Sequence, residues 1–182
     1  MRLFHLSDLH IGKRVNEFSM IEDQKYILER ILDLAEKEMP DGVILAGDIY
    51  DKQIPSAEAV QVFDEFITKL AERKFPVFVI SGNHDSAERL AFGGRLLNSR
   101  GIYLSPVYDG TVMKIPIADQ YGTVWIHLLP FIRPAAVRRV FEDESDLITD
   151  VQSAVRAVIS HMEIDPNERN ILVAHQFVTG AS

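Results

Sequence analysis

VILAGDIYD, residues 43–51, is the stretch whose reading decides the fold. Val43 to Ala46 carry no polar alternation, the pattern of a strand buried on both faces. Gly47 follows at once, then two carboxylates, Asp48 and Asp51. Three other runs share this form. Leu3 to Leu6 leads to Asp8-Leu9-His10, Val77 to Ile80 leads to Gly82-Asn83-His84-Asp85, and Ile171 to Ala174 leads to His175. Between the first two runs, residues 17–39 hold Ile21, Leu28, Ile31, Leu32 and Ala35 at helical spacing, and Pro40 and Gly42 stop them. Between the second and third, residues 56–74 open on Ser56 as N-cap and put Val60, Phe63, Ile67 and Leu70 on one stripe. Strand, helix, strand, helix, strand predicts an α/β layered fold.

Further along, short helices are expected around 86–90 and 94–99, with a strand at 102–104. Residues 111–117 and 123–129 flank Ala118-Asp119-Gln120-Tyr121-Gly122 and read as a hairpin. Pro134 opens a short helix through Val140. The acidic stretch 142–146 leads into a helix carrying Val151, Val155, Val158, Ile159 and Met162. There is no internal repeat or flexible linker, so residues 1–182 are expected to form one domain.

Composition bounds the function. The chain is 47% hydrophobic and 25% charged, a globular balance rather than a disordered one. No apolar run reaches the ~18 residues of a membrane span, and the start lacks a cleavable leader pattern. With no cysteine, disulfide frameworks, thiolate zinc sites and cysteine nucleophiles are excluded. A reducing, cytoplasmic location is the expectation. A net charge of −8 repels nucleic acid on average, so any such contact must be local or mediated by metal ions.

Each of the four strand ends carries metal-binding side chains. Taken singly, Asp8-Leu9-His10 and GDIYD are turn or cap chemistry, and a lone His175 is a structural histidine. Taken together, at the carboxyl ends of parallel neighbours, Asp8, His10, Asp48, Asn83, His84 and His175 would converge on one rim. Glycines before Asp48 and Asn83 would permit the sharp exits. Carboxylate, imidazole and amide donors without sulfur suit Mn²⁺, Fe²⁺ or Zn²⁺. Asp48 can bridge two such ions for phosphoester hydrolysis.

With these residues in view, the sequence resembles the calcineurin-like metallophosphoesterases. The match lies in Asp8 and His10, in Asp48 and Asp51 of GDIYD, in Asn83 and His84 of GNHD, and in His175. HLSDLHIGK (5–13), GNHDSAERLAFGGRLL (82–97), LPFIRPAAVRRVF (129–141) and VAHQFVTGA (173–181) narrow it to the bacterial nucleases of double-strand-break repair. The resemblance implies a sandwich of β-sheets flanked by helices and two divalent cations, Mn²⁺ foremost. Asp8 and His10 would hold the first ion, Asp48 would bridge, and Asn83 and His175 would hold the second. His84 would meet the scissile phosphate and protonate the leaving oxygen, with Asp51 orienting it. It further implies ATP-dependent action on DNA ends and hairpins, as 3′–5′ exonuclease and single-strand endonuclease, with an ATPase partner and a homodimer.

One departure stands out. The family pattern closes with Gly-His-x-His, and no histidine follows His175 here. The expectation is a chain cut short of that motif, with weak metal binding and little activity by itself. His5, His127 and His161 read as packing or exposed histidines. Among basic residues, Lys13 and Arg14 follow the Asp8–His10 loop and are the first candidates for DNA contact; Arg89, Arg95, Arg100, Arg133, Arg138 and Arg139 are the others. A phosphoesterase for nucleotides or phosphoproteins, and a non-catalytic scaffold on the same fold, are the competing readings.

Overall fold

The computed structural model describes residues 1–177. In chain order the elements are β1 (Leu3–Leu6), β2 (Arg14–Val15), β3 (Phe18–Ser19), α1 (Ile21–Glu38), β4 (Gly42–Ala46), α2 (Ala57–Glu72) and β5 (Val77–Ile80). Then come α3 (Ala87–Leu90), α4 (Gly94–Leu97), β6 (Ile102–Leu104), β7 (Met113–Asp119), β8 (Gly122–Leu128), α5 (Pro134–Val140), α6 (Val151–Ser160) and β9 (Arg169–Val173). β1, β4, β5 and β6 pair in parallel in the order β1-β4-β5-β6, and β7-β8-β9 form a second, mixed sheet. Among the described residues no helix is long and apolar enough to cross a membrane.

The two central strands explain the layering. Val43, Leu45, Val77 and Val79 point to a core shared with α1 and α2, through Leu28, Leu32, Phe63 and Phe66. Their alternates Ile44, Ala46, Phe78 and Ile80 point the other way, onto Ile126, Leu128 and Val173 of the second sheet. Strands with apolar neighbours on both faces need no polar alternation, which is why they read as continuous hydrophobic runs. Phe78, fully buried and stacked on Tyr103 at 5.5 Å, contributes about 2–3 kcal/mol by transfer from water. The architecture is therefore α/β, two facing sheets with helices on the outside, as the sequence predicts.

Several details differ from the sequence expectation. β1 and β9 lie at sheet edges and are only partly buried, with the exposed His5 inside β1 and Arg169 at the start of β9. β9 belongs to the second sheet and ends at Val173, leaving Ala174 and His175 in the exit loop. The expected first helix begins only at Ile21, because Asn16 and Glu17 take left-handed turns that fold Phe18–Ser19 back onto Arg14–Val15. Val60 is 44% exposed; the buried stripe of α2 runs through Ala59, Val62, Phe63, Phe66, Ile67 and Leu70. The hairpin turn is tighter than expected, with β7 reaching Asp119 and β8 restarting at Gly122. The acidic stretch forms a 3₁₀ turn, and α6 stops before Met162.

Asp119 ties the second sheet together. Its carboxylate accepts from both Arg169 terminal nitrogens, at 2.7 and 2.8 Å, and from the Met1 amino group at 2.9 Å. Chiefly the Arg169 hydrogen bonds hold its pKa well below the usual carboxylate range. A carboxylate with a depressed folded pKa contributes stability that is complete above its unfolded value of ~3.9 and is lost as pH falls through the folded one. Asp119→Asn is accordingly expected to lower the melting temperature at neutral pH, the gap narrowing below pH ~3.9 and closing only as pH falls through the depressed folded value. Paired thermal melts across that range check it; a constant gap would contradict it.

Candidate metal centre

Hydrogen bonds continue the β1–β4 pairing past the strand ends. Asp8 N donates to Gly47 O, His10 N to Asp48 O, Ile11 N to Ile49 O and Asp51 N to Ile11 O, at 2.9 to 3.2 Å. This ladder locks the Asp8–His10 loop against the GDIYD loop. Asp8, His10 and Asp48 all take positive φ, at 57°, 44° and 50°. Each such non-glycine residue costs about 1 kcal/mol, and three at one place mark a site held for function rather than stability. Gly47 has φ +88°, and a Cβ there would lie 2.6 Å from the His175 ring, so only glycine fits the approach of the two sheets.

Asp48 is the hub. It is buried, and its Oδ1 accepts the His84 backbone N–H at 2.8 Å. Its Oδ2 lies 3.5 Å from His175 Nε2, 3.7 Å from His10 Nε2 and 4.0 Å from His84 Nε2. Two groups of three form around it, His10–Asp48–His84 and Asp8–Asp48–His175, and Asp48 is common to both. Hydrogen bonds on the far side of two of the three rings set their tautomers. His175 Nδ1 donates to Ala46 O at 2.7 Å and His84 Nδ1 to Asp51 O at 3.0 Å, which leaves both Nε2 lone pairs facing Asp48. His10 Nδ1 is buried without a hydrogen-bond partner, the Asp51 carboxylate standing 3.6 Å away. The Ser7 hydroxyl bonds the Asp8 carboxylate.

Asp8, His10, Asp48, His84 and His175 line a cleft of about 820 Å³, together with Asn83, His5, Phe131 and Val151. Neither lysine nor arginine lines it among the described residues. A buried carboxylate beside Asp8 and Asp51, with no fixed cation to compensate, is costly unless cations arrive from solution. The oxygen and imidazole set therefore fits one or two divalent ions. The hydrogen bond to the Asp51 carbonyl, with Asp48, Asp51 and Asp85 nearby, raises the His84 pKa above its ordinary value.

The structure brings Asp8, His10, Asp48, Asn83, His84 and His175 to one cleft, but not on one sheet. The first five leave β1, β4 and β5, whereas His175 reaches across from β9, so the site lies between the sheet ends. Asp51 meets His84 through its main-chain carbonyl, while its carboxylate faces His10. Lys13 and Arg14 do not line the cleft; Arg14 is exposed and bonds the Glu17 carbonyl. His127 is buried on the Asn170 amide, and His161 stacks on Phe141. Residues 178–181 of the VAHQFVTGA motif lie outside the described residues.

Sequence reasoning missed Asp85. Read in the sequence only as the end of the Gly82–Asp85 run, it is buried and accepts three backbone N–H groups: Ile49 at 3.0 Å, Tyr50 at 2.9 Å and Gly82 at 2.8 Å. Ser86 caps α3 instead. The aspartate thus binds the GNHD loop to the GDIYD loop. Phe131 was also missed; its N–H donates to Ser81 O at 2.8 Å and brings its ring to the cleft wall.

Known proteins resemble this chain. The family described as calcineurin-like phosphoesterase matches residues 1–182. The SbcD component of the nuclease SbcCD from Staphylococcus epidermidis is 36% identical over 183 residues, 99% of this chain and 47% of that protein. The component of the same name from Staphylococcus saprophyticus is 34% identical over 183 residues, again 99% of this chain and 47% of that protein. The solved phosphoesterase Yfce from E. coli aligns with a TM-score of 0.35 and 15% identity, covering 70% of this chain and 56% of that one. The chain spans about half the length of the curated relatives it matches.

Proposed function

The chain belongs to the calcineurin-like phosphoesterase family, and from that premise we propose that it carries the phosphoesterase centre of a DNA nuclease acting in double-strand-break repair. The observation that carries the reading is the buried Asp48 carboxylate, shared by two groups of metal-binding side chains. On the resemblance Asp8 and His10 would hold one ion, Asn83 and His175 the other, and Asp48 would bridge, whereas by distance alone Asp8 groups with His175 and His10 with His84. A pair of divalent cations, Mn²⁺ on the resemblance, supplies neutralisation of the phosphodiester and a water acidified for attack. A Gly-His-x-His pair would complete the ligand set, residues 1–182 then being the phosphoesterase domain short of that motif.

His84 is grouped by distance with His10 and Asp48, yet we assign it to substrate rather than metal. Its side chain is 45% exposed at the cleft mouth, against 18% for His10 and 16% for His175. With Nδ1–H held by the Asp51 carbonyl, a protonated Nε2 can bind the scissile phosphate and pass its proton to the leaving oxygen. Asp51 then acts as a positioning residue, through main chain on His84 and through carboxylate beside His10.

The likeness to SbcD at 34–36% identity supports DNA as substrate and an SbcC-type ATPase as partner. On this reading the activity is ATP-dependent 3′–5′ exonuclease and hairpin or single-strand endonuclease action, by a cytoplasmic homodimer. The test is hydrolysis by the full-length protein with Mn²⁺. Expected is degradation of linear double-stranded DNA that chelation abolishes. Turnover of nucleotide monoesters or phosphoproteins with DNA left intact would instead favour another phosphoesterase, a reading to which the net charge of −8 lends weight.

A further inference from the structure

The cleft continues beyond the histidines. Asn83 and Phe131 line it on one side and, on the other, line a second groove of about 310 Å³ walled by Gln53, Ser86, Tyr108 and Arg133. Phe131, tied by its amide to Ser81, stands as the partition between the two spaces.

Two groups in this groove have chemistry that nothing around them uses. The Tyr108 hydroxyl is buried and has no hydrogen-bond partner among the described residues. Burial, helped by Asp109, pushes its pKa up to about 12, so it remains an O–H donor at neutral pH. Arg133 is exposed, and the arginine ion pairs among the described residues belong to Arg2, Arg30, Arg73 and Arg169. The groove's carboxylates are both engaged, Asp85 by three backbone amides and Glu88 by the Ser86 hydroxyl at 2.9 Å. Arg133 is thus the available cation beside a cleft that has none of its own.

We propose that this groove binds the nucleotide adjoining the scissile phosphodiester, with the Arg133 guanidinium on its phosphate and the Tyr108 hydroxyl donating to an acceptor of the same unit. The inference rests on the nuclease reading and deepens it, because a polynucleotide continues past the cut bond whereas a small phosphoester ends there. It also meets the charge problem, giving an acidic protein a local phosphate contact that the metal cleft lacks.

The experiment compares an oligodeoxynucleotide with bis(p-nitrophenyl) phosphate, a diester without a flanking phosphate, using the full-length protein and Mn²⁺. Arg133→Ala should raise KM for the oligonucleotide, its loss on DNA exceeding that on the small diester about tenfold. The slope of log affinity against log salt should shrink by about 0.7–0.9, one phosphate contact. Arg133→Lys should recover part of the loss, and Tyr108→Phe should raise KM about threefold. An unchanged salt slope with unchanged KM, or equal losses on both substrates, would overturn the groove while leaving the nuclease reading intact. Wild-type protein that hydrolyses the small diester but not DNA would remove both.

Discussion

Asp48→Asn is expected to reduce phosphoester hydrolysis by the full-length, Mn²⁺-supplied protein by about 10³-fold or more. The change is nearly isosteric and keeps the Oδ1 acceptor for the His84 amide, so the loop ladder should survive. What disappears is the charge on Oδ2, the atom within 4.0 Å of three imidazoles. Stability should move the opposite way. In chelated protein the variant should melt above the wild type, because one of several crowded carboxylates has been neutralised. With Mn²⁺ at a hundred times its dissociation constant, the wild type should regain about 2.7 kcal/mol and the order should reverse. Calorimetric titration, thermal melts with and without chelator, and steady-state hydrolysis together check this. A variant that still binds two ions tightly would remove Asp48 from the bridging role.

Asp85→Ala should have the largest effect on folding. It strips partners from three backbone N–H groups inside the structure, those of Ile49, Tyr50 and Gly82. Buried donors left unpaired cost about 1–3 kcal/mol each, and relaxation lets water recover some of it, so a net loss near 3–5 kcal/mol is expected. For a chain of this size a 3 kcal/mol loss corresponds to a fall of roughly 6–12 °C in melting temperature. Metal affinity should fall as well, since the loops bearing Asp48 and Asn83 lose their common anchor. Asp85→Asn should recover only part, having one acceptor oxygen and an amide that faces other donors. Differential scanning calorimetry of the three proteins decides it; an alanine variant as stable as the wild type would show that water replaces the carboxylate.

Much of this was legible in one dimension, and the exceptions have physical causes. The motifs after β4 and β5 stand out because strands buried on both faces leave no polar residue until they exit, so Asp48 and Asn83 fall just past the apolar runs. That His175 arrives from a different sheet was not legible. Strand pairing is a long-range choice, and a run such as Ile171 to Ala174 carries no mark of its partner. Asp85 escapes notice because a carboxylate ahead of a short helix usually caps it, and only the fold brings the Ile49 and Tyr50 amides within reach. Which atom of Asp51 meets His84 was not legible: residue type advertises side-chain chemistry, but the carbonyl that holds His84 belongs to every residue alike. Phe63, Ile67 and Leu70 of the expected α2 stripe are buried, and Val60 alone falls outside it because the first turn buries Ala59 and Val62 instead.

The reach of His175 across the two layers sets a timetable for a growing polypeptide. The parallel sheet is complete once Leu104 has emerged, and with it five of the six cleft side chains can be assembled. The sixth waits for β9 to dock beside β8, which needs nearly seventy more residues from the ribosome. In that interval the nascent domain exposes a patch of uncompensated acid, open on the side the second sheet will cover. Cations binding there would fasten β9 to strands made long before it.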